Sequence, residues 1–301
     1  MWNLLLNEVA AGNVKAIARA ISLVENEQTG YETFLQQLPR RQLPVIGITG
    51  PPGAGKSTLT DALIGHAVGE GKRVAVVCVD PSSPFHLGAL LGDRIRLSRW
   101  YLEEAVFIRS LASRGALGGL NPKIIEITDL LKAAPFDLII VETVGVGQSE
   151  IEIAGLADVT VVVLVPEGGD EVQTMKAGLM EIADIFVVNK SDRPGADLFV
   201  KNLRQMLAPA FAKKADPLPV IPTVAHESKG IDVLYQELLK KIQDAVPDER
   251  NSWLLAEKAY LLIQKVRMQD INRQQLKDKI EAELKTGVFN LYRFVQGVLN
   301  G

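Results

Sequence analysis

Nine consecutive residues, Gly50, Pro51, Pro52, Gly53, Ala54, Gly55, Lys56, Ser57 and Thr58, have the types and spacing to hold a chain of phosphates. The glycines let the backbone curl so that successive N–H groups point inward at an anion. A helix starting behind them adds the partial positive charge of its N-terminus. Lys56 offers a full charge to β- and γ-phosphate oxygens, and the Ser57 hydroxyl is placed to ligate magnesium. The pattern requires a strand before it and a helix after it. LPVIGIT at 43–49 and a helical pattern near 56–70 supply both, which a chance glycine-rich turn would lack.

A second string, Asn189-Lys190-Ser191-Asp192, follows the apolar run IFVV. The carboxylate of Asp192 can accept hydrogen bonds from guanine N1–H and the exocyclic amine, and adenine offers neither in that arrangement. A site built to hydrogen-bond one base rejects the other, because its polar groups would be left unpaired. A further base-side loop should follow the next strand, where Val224-Ala225-His226 stands, with the Ala225 amide directed at guanine O6. The two strings imply GTP rather than ATP, bound as GTP or GDP with Mg2+.

The metal also needs an acid at the end of a buried strand. RVAVVCVD ends at Asp80, and DLIIV runs into Glu142. Glu142 heads an acid-x-x-Gly turn ending at Gly145, the kind that in P-loop GTPases sets the acid near the metal and the glycine amide near the γ-phosphate. Asp93 is a further candidate for the metal or its waters. The metal set is therefore Ser57, Asp80, Asp93 and Glu142. Asp80 could instead cap the following turn, and Asp93 could pair with Arg94 or Arg96.

The elements that must position these residues are legible as periods. Short continuous apolar runs at 43–49, 73–80, 105–111, 137–143, 159–165, 185–190 and 218–224 read as strands buried on both faces. Helical stretches near 120–134, 149–157, 170–182, 196–213 and 230–244 alternate with the later ones. The pattern predicts an α/β fold, a mostly parallel sheet with helices on both faces. Residues 1–40 read as an N-terminal extension of one or two helices, 41–246 as the nucleotide-binding domain, and 247–301 as a helical tail. That tail either packs back on its own domain or pairs with a second subunit.

Composition narrows the class. The chain has 301 residues, 47% of them hydrophobic, with a formal charge of −3 and no basic tract. Nucleic acid and membrane surfaces are not expected partners. No apolar stretch reaches the ~18 residues of a membrane span. The single cysteine, Cys78, cannot form an intrachain disulfide and fits a reducing, cytoplasmic setting. The opening residues are interrupted by Asn7, Glu8 and Lys15, so an amphipathic helix is expected there rather than a signal peptide.

The strings VDPSSP (79–84), LLGDRIRL (90–97), IRSLASRGALGGL (108–120) and VETVGVGQSE (141–150) together resemble the MeaB/ArgK family of P-loop GTPases, also known as LAO/AO transport kinases. The resemblance implies a P-loop NTPase fold of the SIMIBI class, with the tail as a homodimerisation arm. It implies a GTPase chaperone for an adenosylcobalamin-dependent acyl-CoA mutase, typically methylmalonyl-CoA mutase, gating cofactor delivery and protecting the enzyme. The family's mobile elements would fall at about 81–98, 143–156 and 166–176. Ras-like GTPases carry a glutamine directly after the acid-x-x-Gly glycine. Here Val146 stands there and Gln148 comes two residues later, so slow turnover raised by a partner is expected. Lys56, Asp93, Glu142 and Gln148 are the catalytic candidates, with Arg94 or Arg96 as further sources of charge.

Other classes fit less well. A metal-delivery GTPase needs clustered cysteine and histidine, whereas Cys78, His66, His86 and His226 are isolated in sequence. A kinase acting on a transport protein would show a kinase catalytic loop. A GTP-dependent binding module, with hydrolysis incidental, overlaps with the chaperone reading.

Overall fold

The seven apolar runs become seven strands, β1 (Val45–Thr49), β2 (Val74–Asp80), β3 (Val106–Ala112), β4 (Leu138–Glu142), β5 (Val159–Leu164), β6 (Ile185–Val188) and β7 (Val220–Pro222). They form one sheet in the order β3-β2-β4-β1-β5-β6-β7, with every pairing parallel. Every residue of β1, β2, β4, β5 and β6 is buried, which is why these strands read as continuous rather than alternating apolar runs. The computed structural model describes the whole chain except residues 81–96, 114–119, 144–148, 168–181, 211–217, 245–248, 269–270, 286, 288 and 301.

Helices cover both faces. On one, α4 (Lys56–Gly69) and α8 (Ile231–Gln243) lay Leu59, Leu63, Leu234 and Leu238 on Ile46, Ile48, Val76 and Ile140. On the other, α7 (Ala196–Ala210) brings Val200, Leu203 and Leu207 against Val162, Leu164, Phe186 and Val188. Between these in sequence lie α5 (Ile124–Lys132) and α6 (Ser149–Leu156).

The N-terminal segment forms three helices where one or two were expected, α1 (Trp2–Ala10), α2 (Val14–Glu25) and α3 (Tyr31–Gln37). Asn13 makes the first break by accepting the Lys15 and Ala16 amides at 3.0 and 3.1 Å, an N-cap that restarts the helix. Partly buried polar contacts help to dock these helices. Arg109 on β3 donates to Ser22 at 3.0 Å and Glu25 at 2.7 Å. Lys123 reaches Glu27 at 2.9 Å, Tyr31 at 3.3 Å and Glu126 at 3.4 Å. Burial alone would depress the Lys123 pKa, but the Glu27 hydrogen bond, the Glu126 charge and Tyr31 together push it up.

The chain divides into two compact units, Met1–Asn251 and Ser252–Gly301. The sheet and the helices named so far lie in the first. Helix α9 (Glu249–Arg267) runs from the end of the first into the second, which continues with α10 (Arg273–Leu284) and α11 (Leu291–Asn300). Asn272 caps α10 by accepting the Gln274 and Gln275 amides at 2.8 and 3.4 Å. In this second unit Trp253, Tyr260, Leu261, Ile263, Val266 and Tyr292 are exposed.

Candidate functional site

Because all the strands are parallel, their C-terminal ends share one edge of the sheet, and both motifs lie there. The phosphate loop leaves β1, Glu142 ends β4 beside it, Asn189 follows β6, and Val224 follows β7. Two strand spacings separate β1 from β6, so the two corners stand roughly 10 Å apart, about the reach of a nucleoside.

The loop's conformation depends on glycine at two points. Gly50 has φ 140° and lies so close to β5 that a Cβ would stand 2.2 Å from the Val163 carbonyl oxygen. Gly55 has φ 87°, and a Cβ there would stand 2.3 Å from the Asn189 amide nitrogen. Either substitution would force backbone or a buried amide to move. Gly55 caps α4, so the helix begins at Lys56, directly behind the loop. Ala54, Lys56 and Ser57 are buried, whereas Pro52, Gly53 and Thr58 are exposed.

Lys56 lies over the loop, its ammonium donating to the carbonyls of Gly50 at 2.8 Å and Pro51 at 3.1 Å. The Ser57 hydroxyl donates to Glu142 Oε1 at 2.6 Å, and the Thr60 hydroxyl donates to Glu142 Oε2 at 2.8 Å. Beside them Thr143 donates to Thr49 at 2.9 Å. Asp80 is 94% buried, with 6% of its surface exposed. Cys78 is in register with Glu142 on the neighbouring strand, so Asp80, two residues on, projects from the same face as Glu142 and α4. A buried hydroxyl with two buried carboxylates is an oxygen-only donor set, which fits a hard divalent cation such as magnesium. Asp93, Gly145 and Gln148 lie outside the described residues, as do Arg94, Arg96 and most of the three loops expected to be mobile.

At the other corner Asn189 is 3% exposed and ties three segments together. Its amide nitrogen donates to the Ala54 carbonyl at 3.0 Å. Its oxygen accepts from the Ala225 amide at 3.1 Å and the Thr223 hydroxyl at 3.3 Å. The Ala225 N–H is therefore engaged by Asn189, and a base oxygen would have to share it. Lys190 has φ 57°, unusual for a non-glycine residue, and its ammonium donates to the Gly53 carbonyl at 2.8 Å. Asp192 is exposed, as a group that must meet a ligand has to be. Val224 is buried in the turn, and the exposed His226 side chain lies 3.6 Å from Glu227. Lys229 hydrogen-bonds Glu227 and holds its carboxyl below the usual value.

Sequence reasoning passed over Thr60 and Thr223. Each is a fully buried hydroxyl whose partner is a candidate site residue distant in sequence. For Thr60 a signal existed: a polar residue one helical turn after Ser57, on the face that carries Leu59 and Leu63 to the core.

A parallel sheet with a phosphate loop behind its first strand and a guanine-reading string behind its sixth defines a P-loop GTPase. The sequence matches the family described as Methylmalonyl Co-A mutase-associated GTPase MeaB over residues 17–283, and the chain belongs to that family. A Pyrococcus abyssi protein provisionally named as a GTPase is 45% identical over 294 residues, 95% of this chain and 88% of that protein. A fused isobutyryl-CoA mutase of Geobacillus kaustophilus is 34% identical over 254 residues, 79% of this chain and 23% of that protein. A crystal structure described as LAO/AO transport system kinase superposes with a TM-score of 0.69 at 25% identity, covering 99% of this chain and 96% of that one. Family membership makes the protein a GTPase that binds guanine nucleotide, in a family associated with acyl-CoA mutases. Among the described residues no helix is long and apolar enough to cross a membrane.

Proposed function

We propose that this protein is a GTP-driven chaperone for an adenosylcobalamin-dependent acyl-CoA mutase, methylmalonyl-CoA mutase or a related enzyme, gating cofactor delivery and protecting the mutase. The carrying observation is the fused mutase. A segment similar to 79% of this chain occurs there within the same polypeptide as an isobutyryl-CoA mutase. Covalent fusion favours a shared task, since it keeps two modules at high effective concentration.

In this reading the loop amides and Lys56 bind and neutralise the phosphates, and Lys56 stabilises charge that builds on the leaving oxygen. Ser57, Glu142 and Asp80 hold magnesium, joined by Asp93 directly or through water. Magnesium, when bound, neutralises charge on the β- and γ-phosphate oxygens. Asp192 reads the guanine edge, and Asn189 fixes the loop on which Asp192 stands. Gly145 offers its amide to the γ-phosphate, and Gln148 is the candidate to orient the attacking water. Val146, directly after Gly145, carries no group that can hydrogen-bond that water. Intrinsic turnover is then slow and rises when the mutase orders the site.

Residues 1–40 act as the helical extension, 41–246 as the GTPase domain and 247–301 as a homodimerisation arm. The exposed Trp253, Tyr260, Leu261 and Ile263 support the arm, because an apolar surface of that kind favours burial against a second copy.

The test measures GTP turnover by the purified protein with and without an adenosylcobalamin-dependent acyl-CoA mutase. The expected result is slow hydrolysis alone and at least a several-fold rise with the mutase present. Fast hydrolysis that no such mutase changes would overturn the reading.

A further inference from the structure

We propose that Thr60 is a positioning residue for the metal end of the site. Its hydroxyl fixes the Glu142 carboxylate so that Oε1 stays on Ser57. The inference rests on the reading above, in which Ser57 and Glu142 hold magnesium.

Ser57 and Thr60 are three apart on α4, so they lie one turn apart on the same face. Glu142 ends β4 opposite that face, and each of its carboxylate oxygens receives one of the two hydroxyls, at 2.6 and 2.8 Å. Thr60 is 0% exposed. A buried hydroxyl needs a partner, and inside a helix the carbonyl four residues back can supply one. This protein uses that local solution elsewhere. Ser22 donates to the Ala18 carbonyl at 3.1 Å, and Thr128 donates to the Ile124 carbonyl at 2.7 Å. Thr60 instead reaches a carboxylate 82 positions away. Satisfying its own hydroxyl does not explain that choice; what it does to Glu142 does.

A glutamate side chain has three rotatable bonds, so a hydrogen bond to one carboxylate oxygen does not by itself fix the other. A second donor from the same rigid helical turn, on the other oxygen, fixes its plane. The consequence falls on Ser57. A hydroxyl that ligates a cation must present its lone pair to the metal and turn its proton away. Glu142 Oε1 is the acceptor for that proton, and Thr60 keeps it in place. Groups that orient a metal ligand in this indirect way typically change metal affinity by about 10–100-fold when removed.

The experiment compares wild type with Thr60→Val, Thr60→Ala and Thr60→Ser. Mn2+ affinity of the GDP-bound full chain is read by electron paramagnetic resonance, GDP affinity is read in excess chelator, and folding is read by thermal unfolding. Val and Ala, which lack the hydroxyl, should each weaken Mn2+ binding roughly tenfold and leave chelated GDP affinity within about twofold. Ser, which keeps it, should stay near wild type. If Val fails to fold, Ala and Ser still differ by the hydroxyl alone. Mn2+ affinity that follows side-chain volume, or that is unchanged in Val and Ala, would overturn the role of Thr60 and leave the metal reading standing. A wild type whose GDP-bound form takes up no Mn2+ would overturn the metal reading, and the role of Thr60 with it.

Discussion

The two edges of the sheet are both lined with acidic residues, and they use them in opposite ways. At the N-terminal edge Asp137, Asp158 and Asp184 immediately precede β4, β5 and β6. Each carboxylate accepts the backbone N–H of the residue facing it on, or directly ahead of, a neighbouring strand: Arg73 at 2.7 Å, Val45 at 2.7 Å and Thr160 at 2.8 Å. Each aspartate's own amide donates to that same residue's carbonyl, at 2.8, 2.8 and 2.9 Å. The pairs are reciprocal, so these carboxylates finish the sheet where its ladders begin. At the C-terminal edge Glu142 accepts side-chain hydroxyls from α4, and Asp192 is exposed. Acids tied to backbone serve stability; acids held by side chains, or turned to solvent, can meet a ligand. The comparison therefore predicts that changes at the C-terminal edge alter nucleotide chemistry, while changes at the N-terminal edge alter stability alone.

The largest effect is expected at Asp192. Replacing it with Asn keeps the shape but puts an N–H donor where guanine also presents donors. GTP affinity should fall roughly a hundredfold, since an unmatched polar group in a reading site is costly. Xanthine nucleotides, which carry a carbonyl where guanine has its amine, should gain. The melting temperature should stay put, because Asp192 is exposed. Nucleotide titration with GTP and XTP, beside a melting curve, checks both halves. Unchanged preference between the two bases would remove Asp192 from the base site.

How much of this the sequence displayed depends on the kind of residue. The strands were legible because burial on both faces makes VAVVCVD and VTVVVL apolar throughout, a signal that needs no partner to be seen. The phosphate loop was legible because its chemistry is local, confined to Gly50–Thr58. What stayed hidden are ties between positions far apart. Asn189 reaches Ala54 across 135 positions, and Thr60 reaches Glu142 across 82. No local pattern states which distant group a buried amide or hydroxyl will meet. The helical extension shows the same limit: its apolar spacing was visible, but its docking through Arg109 and Glu25 was not. The aspartates before β4, β5 and β6 did leave a local mark, an acid directly ahead of an apolar run, which only the parallel register explains.

Asn189 is where the comparison can break. It stands at the C-terminal edge, yet it is buried and tied to the Ala54 carbonyl, the Ala225 amide and the Thr223 hydroxyl, as an N-terminal-edge residue would be tied to backbone. Asn189→Ala leaves a buried N–H and a buried hydroxyl without that acceptor, at a cost of about 2 kcal/mol. For a unit of this size that is a fall of roughly 4–8 °C in melting temperature. Nucleotide affinity should drop as well, because the loop carrying Asp192 loses its anchor to the phosphate loop. Weaker binding at an unchanged melting temperature would show Asn189 to be a reader and not a clamp, and the division between edges would then be complete.

The smallest effect, and the sharpest control, lies at the opposite edge. Asp158→Ala removes the acceptor for the Val45 amide at the start of β1, the strand that feeds the phosphate loop. A hydrogen bond to a charged group is worth more than a neutral one, but Asp158 is exposed and water can replace part of what it supplies. The expected loss is about 1 kcal/mol, a fall of roughly 2–4 °C in melting temperature. The phosphate loop lies at the other end of β1, and β1 stays held along its length by β4 on one side and β5 on the other. The start of the strand can therefore loosen without displacing Gly50. GTP affinity and turnover should stay within about twofold of wild type at temperatures well below the transition. A large fall in affinity at full folding would mean that the beginning of β1 sets the geometry of the loop at its end. The two edges would then be one mechanical unit rather than a frame and a site.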